Sequence, residues 1–314
     1  MSAPIKDSDT GHWVNRAPLS ARPYLQLSRL DRPVGYWLLT LPGWIGLAFA
    51  SLSHSFAVSD IKWAVLILIG AIAMRGAGCT YNDIVDQDLD KQVERTALRP
   101  LPAGTVTTKQ AWIWVFAQCA VGLLVLLSLP RLAQIISLCS IPLVAAYPFM
   151  KRITWWPQIW LGMTFNWAVL VAYAAKTGTV SLPLIILYAG LIFWTVGYDT
   201  IYACQDIEDD MKIGVKSTAQ RFGKRVKLGV GTSYFILLIL TTIALFEVVF
   251  GLMYFPQNRG ILHGNTRPFW IPMLVVLPFA LHLYYQVTSF DPRDGNKSLK
   301  IFKSNGIALS LIHI

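Results

Sequence analysis

Apolar residues along this chain gather into nine long runs, and the polar residues lie mainly between them. Each run is close to the ~20 residues that a helix needs to cross the hydrocarbon core of a bilayer. The pattern therefore predicts nine membrane-spanning helices. They cover residues 33–52, 62–81, 111–129, 133–149, 155–173, 182–204, 229–250, 269–287 and 299–314.

The overall composition agrees with a membrane protein. Hydrophobic residues make up 54% of the chain and charged residues only 14%, with 12 tryptophans. This charged fraction is about half that of a typical soluble domain. The expected fold class is an all-α integral membrane protein with about nine transmembrane helices. Residues 1–28 are expected to form a polar N-terminal segment, and residues 29–314 a single transmembrane domain.

The basic residues alternate with the predicted helices. Of the 27 lysines and arginines, 21 lie in the N-terminal segment or after the second, fourth, sixth and eighth apolar runs, and only 5 lie on the other side. Such a bias marks the cytosolic or matrix side of a membrane protein. Topology thus accounts for the net charge of +10, and no nucleic-acid partner is expected.

The second apolar run ends in a group of carboxylates. At about 100° per residue on a continuous helix, Asp83, Asp86 and Asp90 fall within roughly 60° of one another, with Asn82 beside them. Packing alone does not explain three like charges on one face at the end of an apolar helix, because the carboxylates repel each other. A bound divalent cation would offset this repulsion.

A second acidic group ends the sixth run. On a continuous helix Asp199, Asp206 and Asp210 would share one face. Residues 82–86 (NDIVD) resemble residues 205–209 (QDIED), and residues 96–99 (TALR) resemble residues 218–221 (TAQR). Four predicted helices separate the two copies, which indicates a pseudo-repeat of a four-helix unit with the acidic faces opposed.

Carboxylates interleaved with basic residues at a membrane surface suit a multiply charged anion held through metal. Mg²⁺ prefers hard oxygen ligands and is commonly bound by a few carboxylates together with phosphate oxygens. Arginine and lysine would neutralise further phosphate oxygens. A diphosphate head at the surface with an apolar tail among the helices describes a prenyl diphosphate. The expected chemistry is departure of diphosphate and attack of an electron-rich acceptor on the allylic carbon, with a carboxylate taking the proton.

Arg75 is the one lysine or arginine deep inside a predicted span, since Lys62, Lys300 and Lys303 lie near the ends of theirs. It lies seven residues before Asn82, hence on the same helical face. A charge at membrane depth is a functional-site hypothesis by default. Two interpretations stay open: an ion pair with Asp83 or Asp86, or recognition of an acidic or phenolic acceptor.

These motifs together resemble the UbiA superfamily of intramembrane prenyltransferases, in its 4-hydroxybenzoate polyprenyltransferase branch. The similarity covers nearly the whole chain and rests on RLDRPVG (29–35), RGAGCTYNDIVD (75–86), RTALRPL (95–101), YPFMK (147–151), GYDTIYA (197–203) and GVKST (214–218).

The resemblance implies a magnesium-dependent aromatic prenyltransferase with nine transmembrane helices around a central cavity, and it assigns roles to the residues. The implied metal ligands are Asp83, Asp86, Asp90, Asp206 and Asp210. The implied diphosphate-binding residues are Lys151, Arg95, Arg99, Lys212, Lys216 and Tyr147. The implied acceptor-binding residues are Arg75, Asn82, Arg29 and Asp199. The residues expected to carry catalysis are Asp83, Asp206, Asn82 and Arg75.

The sequence motifs specify the reaction class more closely than the acceptor or the pathway. Cys204 and a short N-terminal segment favour the subgroup that farnesylates aromatic polyketide acids (orsellinic-type) for meroterpenoids, in an endomembrane. The alternative is a 4-hydroxybenzoate polyprenyltransferase of ubiquinone biosynthesis in the mitochondrial inner membrane. An alternative of another class is an ion-coupled transporter, which would place its carboxylates near the bilayer midplane among broken helices.

Overall fold

The computed structural model describes residues 11–92, 96–250 and 270–308, and these residues contain helices but no β-strand. The helices are α1 (Arg22–Leu27), α2 (Val34–Ser51), α3 (Val58–Val85), α4 (Gln87–Asp90), α5 (Thr108–Leu127), α6 (Arg131–Cys139), α7 (Ile141–Ile153), α8 (Pro157–Phe165), α9 (Trp167–Thr177), α10 (Leu182–Ala203), α11 (Ile207–Lys212), α12 (Thr218–Phe222), α13 (Val226–Phe250), α14 (Ile271–Ser289), α15 (Gly295–Lys303) and α16 (Asn305–Ala308). Short 3₁₀ helices cover Trp13–Arg16 and Gly223–Arg225.

Six stretches of the described chain are long and apolar enough to cross a membrane. They are Val34–Ser51, Val58–Val85, Thr108–Leu127, Arg131–Ile153, Leu182–Ala203 and Thr218–Phe250. The predicted fourth run is bent at Ser140, between α6 and α7, and the predicted fifth is divided at Asn166 into α8 and α9. Hydropathy does not reveal these interruptions because both fall inside apolar sequence.

The last two predicted helices are described only in part. The eighth run begins in residues outside the described part of the chain, and α14 covers its remainder. In place of a ninth run from residue 299, the chain forms α15 from Gly295 and α16 from Asn305. Residues 309–314 of that run lie outside the described residues.

Helix α10 lies at the centre of the bundle. About 61% of its span is buried, whereas α5 is only 17% buried and leaves its apolar side chains facing outward. Trp194, Tyr198 and Ile201 of α10 are almost fully buried and join the main hydrophobic core. The helix is apolar over most of its circumference, as expected for a central membrane helix, and Asp199 is its one charged residue.

The loops collect at the two ends of the bundle as the charge pattern predicts. On the basic side, the Arg152 guanidinium donates to the Val85 carbonyl (3.2 Å) and the Lys216 amide donates to the Lys151 carbonyl (2.8 Å). At the other end, Lys176 contacts Asp60 at 2.5 Å and Ser51 at 2.6 Å. Each of these contacts joins segments on the same side of the bundle.

Candidate active site

The first acidic group lies where α3 ends. Asp86 leaves helical geometry (φ −98°, ψ 6°) and stops α3, and the short helix α4 then carries Asp90. The Asp90 amide donates to the Asp86 carbonyl at 2.8 Å, so the turn preserves the spacing that a continuous helix would give. Asp83 and Asp86 are each only 1% exposed. Asp83, Asp86 and Asp90 therefore lie together, although one continuous helix does not produce the arrangement.

Arginines from two different segments surround Asp83 and Asp90. Arg29 contacts both oxygens of Asp83 at 2.6 and 2.9 Å. Arg99 contacts Asp83 at 3.4 Å and Asp90 at 2.9 Å, and thereby bridges the two carboxylates. Burial raises the pKa of Asp90 above its ordinary value, while Arg99 opposes that shift.

Asp86 has its own pair of cations at the C-terminus of α7. Lys151 contacts one carboxylate oxygen, and Arg152 donates to the other at 2.9 Å. Both basic residues occupy the last turn of α7, where the helix dipole favours positive charge. Lys151 therefore lies at the carboxylates of the first group, and its diphosphate-binding role stays a prediction.

Arg29 is held in an uncommon backbone conformation. Its φ is +54°, in the left-handed region that costs a non-glycine residue roughly 1–2 kcal/mol. Burial opposes the charge of its guanidinium, but the Asp83 carboxylate, with Cys79, Asp31 and Asp90, outweighs burial and raises the pKa of Arg29. Its contacts place Arg29 at the first acidic group, next to the expected diphosphate site.

The second acidic group is built differently from the prediction. Helix α10 ends at Ala203, and α11 begins only at Ile207. Asp199 therefore lies inside α10, while Asp206 and Asp210 follow the break; the prediction of one shared helical face is wrong because it assumed a continuous helix. The Asp210 amide donates to the Asp206 carbonyl at 2.8 Å, which repeats the turn at Asp86 and Asp90.

The basic residues around the second group face several ways. Lys212 ends α11 and is exposed. The Lys216 ammonium donates to the Ile153 carbonyl at 3.1 Å and lies over the Trp155 ring at 5.7 Å, so it sits beside the loop that carries Lys151. Arg95 was predicted to bind diphosphate and lies outside the described residues.

Arg75 is half-buried within α3, away from the carboxylates of the first group. Its guanidinium contacts the Cys79 thiol and lies 5.3 Å from the Phe165 ring, and its Nε has no hydrogen-bond partner among the described residues. Asp199 and Tyr147 interact with it electrostatically from α10 and α7. Because Asp83 and Asp86 are paired with other cations, an ion pair with Arg75 is not what holds this arginine.

Asn82 lies between two levels of the site: the carboxylates of the first acidic group, and the group around Arg75 deeper among the helices. It lies two turns from Arg75 and directly before Asp83, and its carboxamide makes no hydrogen bond in the part of the chain that the structure describes. Tyr147 and Lys151 are one turn apart on α7, so this helix also reaches both levels. The arrangement is a cation-lined acidic cluster at the end of α3, with a smaller group of polar side chains, Arg75, Tyr147 and Asp199, among the helices below it.

Two polar residues at the site were not singled out from the sequence. Arg152 contacts Asp86, but its only sequence signal is that it follows Lys151. Gln158 is 5% exposed and interacts with Asp199; it is an isolated amide in an apolar stretch. A third residue, Asp31, precedes α2 and is of a type that commonly caps a helix. Pro33 instead occupies the cap position, and Asp31 is buried beside Arg32 at 3.5 Å.

The described residues show no group of three or more histidine, cysteine, aspartate or glutamate side chains arranged to hold a metal ion. Contacts with basic side chains occupy Asp83, Asp86 and Asp90 instead. The donor chemistry nevertheless fits Mg²⁺, because these are hard carboxylate oxygens held at one surface. Binding of a metal would therefore require the carboxylates to exchange their cationic partners.

Residues 39–312 match the model of the UbiA prenyltransferase family. The chain is 39% identical over 308 residues to the mitochondrial 4-hydroxybenzoate polyprenyltransferase of Homo sapiens, covering 94% of this chain and 77% of the relative. It is 48% identical over 280 residues to the enzyme of the same name in Aedes aegypti, covering 87% of this chain and 58% of that relative.

Solved structures support the same fold. A UbiA homolog from Aeropyrum pernix superposes with a TM-score of 0.67 at 25% identity, covering 88% of this chain and 96% of the homolog. A UbiA homolog from Archaeoglobus fulgidus, solved with GPP and Mg²⁺, gives a TM-score of 0.65 at 20% identity, covering 93% and 100%. The curated relatives favour the 4-hydroxybenzoate alternative, and give no support to the secondary-metabolite subgroup or to an endomembrane location.

Proposed function

The chain belongs to the UbiA prenyltransferase family, and from that premise we propose that it transfers a polyprenyl group from its diphosphate to an aromatic carbon of 4-hydroxybenzoate. The observation that carries the proposal is the pairing of two levels in one site. Cation-lined carboxylates at the end of α3 lie above a group of polar side chains that contains Arg75 and Asp199. The similarity to mitochondrial 4-hydroxybenzoate polyprenyltransferases supports this acceptor and a mitochondrial membrane, with the basic loops facing the matrix.

The upper level suits the diphosphate. Arg29, Arg99, Lys151 and Arg152 already gather around Asp83, Asp86 and Asp90. When phosphate oxygens arrive, these cations can transfer part of their pairing from carboxylate to phosphate. The carboxylates released in this way, together with Asp206 and Asp210, are those proposed to hold Mg²⁺. Bound there, the ion would neutralise charge that develops on the departing diphosphate.

The lower level suits the aromatic acid. Arg75 provides a guanidinium for the carboxylate of the acceptor, and its unpaired Nε leaves hydrogen-bonding capacity for a ligand. Asp199 provides a carboxylate for the phenol, and Asn82 lies between this group and the diphosphate level. The substrate C–O bond breaks, a ring C–C bond forms, and the ring proton is lost to a carboxylate base, leaving diphosphate and the prenylated acid.

Cys204 is one of the two sequence features that favour the competing acceptor class. In the structure this side chain is buried, and its thiol donates to the Thr200 carbonyl at 3.3 Å. It therefore satisfies a carbonyl in the last turn of α10, and its contacts give no reason to prefer a polyketide-derived acid as acceptor. The transporter alternative is disfavoured because the carboxylates of the first group lie where α3 ends, among basic loops.

A donor-by-acceptor screen on membranes that carry the protein tests the proposal. Each of 4-hydroxybenzoate and orsellinic acid is combined with prenyl diphosphates from C10 to C50, with and without Mg²⁺. We expect Mg²⁺-dependent prenylation of 4-hydroxybenzoate, including by the long donors. Turnover confined to orsellinic acid with farnesyl diphosphate would favour the other subgroup, and absence of Mg²⁺-dependent diphosphate release would contradict a prenyltransferase.

A further inference from the structure

The guanidinium of Arg75 is enclosed by groups from three helices. Its Nη1 contacts the thiol of Cys79, one turn later on α3. Its Cζ lies 5.3 Å from the centre of the Phe165 ring, which comes from the end of α8. Gly35, in the first turn of α2, forms the third side. Among the described residues, Cys79 is the only hydrogen-bond partner of this guanidinium, so its other N–H groups remain for a ligand.

Gly35 lies against one particular edge of the Arg75 guanidinium. A Cβ at residue 35 would lie 2.9 Å from Nε, 3.0 Å from Nη2 and 3.4 Å from Cζ. A Cβ stacked over the face of this planar group would come at least as close to Cζ as to the two nitrogens. The distances therefore place the Cβ in the plane of the guanidinium, in front of its Nε–Nη2 edge. Because glycine has no Cβ, this edge can approach α2 closely.

The backbone itself does not require glycine at residue 35. The structure gives Gly35 no positive φ, and a helix disfavours glycine relative to alanine. The three heavy atoms nearest to an added Cβ all belong to Arg75. Arg75 presents the far end of a flexible side chain, so an alanine at residue 35 would displace the guanidinium and leave the backbone of α2 in place.

The Phe165 ring stands beside a firmly attached break between α8 and α9. The next residue, Asn166, is 1% exposed. Its side-chain amide donates to the Leu191 carbonyl at 3.0 Å and to the Thr195 hydroxyl at 2.8 Å, both on α10. These hydrogen bonds fasten the break to the central helix. The ring is thus held where its face attracts the Arg75 cation.

We propose that Gly35 and Phe165 are positioning residues that aim the Arg75 guanidinium at the carboxylate of the acceptor. An arginine recognises a carboxylate best when two N–H groups point at its two oxygens, so the orientation of the guanidinium matters as well as its charge. The missing side chain at residue 35 sets how close the guanidinium lies to α2, and the ring limits its tilt. Together they make the site prefer an aromatic acid over a neutral phenol. The inference rests on the proposed function, which assigns Arg75 to the acceptor.

Equilibrium binding tests the proposal without requiring turnover. Purified protein in nanodiscs is titrated calorimetrically with 4-hydroxybenzoate, with its neutral analogue 4-hydroxybenzamide, and separately with farnesyl diphosphate plus Mg²⁺. Gly35→Ala adds one methyl group in front of the guanidinium, and Phe165→Leu removes the ring. Gly43→Ala is the matched control, because it adds the same group to α2 but against the apolar Ile67 side chain of α3, at 2.6 Å.

We expect Gly35→Ala to bind 4-hydroxybenzoate about tenfold more weakly, the loss typical of one hydrogen bond to a charged group. Phe165→Leu should weaken it about twofold to fivefold, as loss of a cation–π contact does. In both variants the affinities for 4-hydroxybenzamide and for farnesyl diphosphate should stay within about twofold, so the preference for the acid falls. Gly43→Ala should keep that preference even where overpacking lowers its melting temperature. In an Arg75→Met background, Gly35→Ala should cause no further loss, because the group through which it acts is gone.

An unchanged preference for the acid in Gly35→Ala would overturn the proposal. Equal losses of acid and amide affinity would also overturn it, since they would mean a general distortion of the site rather than a displaced guanidinium. Failure of Gly35→Ala to fold would contradict the assignment of Arg75 as the group that yields. If the wild-type protein binds no 4-hydroxybenzoate, the proposed function fails separately, and the same comparison with the acid found in the screen and its amide decides the roles of Gly35 and Phe165.

Discussion

The two acidic regions have the same local design and different surroundings. In each, a long helix stops and a short helix follows, and an amide donates to the carbonyl four residues earlier at 2.8 Å: Asp90 to Asp86, and Asp210 to Asp206. The backbone thus pairs Asp86 with Asp206, at an offset of 120. The sequence similarity instead aligned Asp83 with Asp206, at an offset of 123. Local resemblance indicates a repeat but does not fix its register in space.

The described contacts around the first region come mainly from basic side chains. Asp83 and Asp86 are buried under four cations that come from three separate segments. Arg99 is 12% exposed and bridges two carboxylates, whereas Arg221, at the matching position of the second repeat, is exposed. The second region is joined to the bundle through α12, where the Thr218 amide donates to Gln158 at 3.0 Å. We infer that the first region is charge-balanced before substrate binds, and that the contact between α8 and α12 helps to order the second.

The largest expected effect is on turnover, and it tests whether both regions serve one reaction. Asp83→Ala and Asp206→Ala should each lower prenyl transfer by about 10²–10³-fold, the usual loss on removing one electrostatic stabiliser of a transition state. Asp88→Ala is the control, because its side chain is 94% exposed and pairs only with Lys91 in the described structure. Radiolabelled prenyl transfer measures the rates. Near-normal turnover of either site variant would separate that region from the reaction.

Part of this site was predictable from sequence alone. The apolar runs indicate the helices, and the alternation of basic residues places the acidic groups on one side. The partners of the aspartates were not predictable, since Arg29 and Asp83 are 54 residues apart and meet only through packing. The breaks after Val85 and Ala203 were not predictable either, because backbone turns rather than glycine or proline produce them. The burial of Leu27 was not predictable for a similar reason: it lies in the polar N-terminal segment, yet it is fully buried against the loop residues Leu101 and Val106.

The second prediction concerns stability and contrasts matching residues of the two repeats. Arg99→Ala leaves the buried carboxylates of Asp83 and Asp90 with fewer cations. It should lower the free energy of unfolding by about 3–5 kcal/mol, the typical cost of losing one partner of a buried ion pair. Arg221→Ala removes an exposed side chain and should change the free energy of unfolding by about 0.5 kcal/mol or less. Denaturation in mixed micelles measures both. Equal effects would show that the cations of the two regions are equivalent.

The third prediction tests exchange of partners at the first region. A prenyl diphosphate with Mg²⁺ at about 100 times its Kd should stabilise the fold by about 2.7 kcal/mol. Asp86→Asn should remove most of this gain, because Asp86 is proposed to leave Lys151 and Arg152 for the metal. Asp88→Asn should retain it. Thermal unfolding with and without ligand gives the comparison, and full stabilisation of Asp86→Asn would exclude this carboxylate from the metal site.

The smallest expected effect separates loop geometry from ligand binding. Gly104 and Gly214 both have φ +71° and open space where a Cβ would lie, and they belong to the loops that follow the first and second acidic groups. Alanine at either place should cost about 1–2 kcal/mol through the left-handed backbone alone.

The consequences for ligand binding should differ, because the Val215 amide next to Gly214 donates to the Asp210 carbonyl at 2.9 Å. Gly214→Ala should therefore also weaken binding of diphosphate with Mg²⁺, while Gly104→Ala should lower only the melting temperature. Calorimetric titration and thermal unfolding of the two variants measure these effects. Equal binding losses would mean that the second region depends on its loop no more than the first, and a loss in neither would confine its ordering to the contact between Gln158 and Thr218.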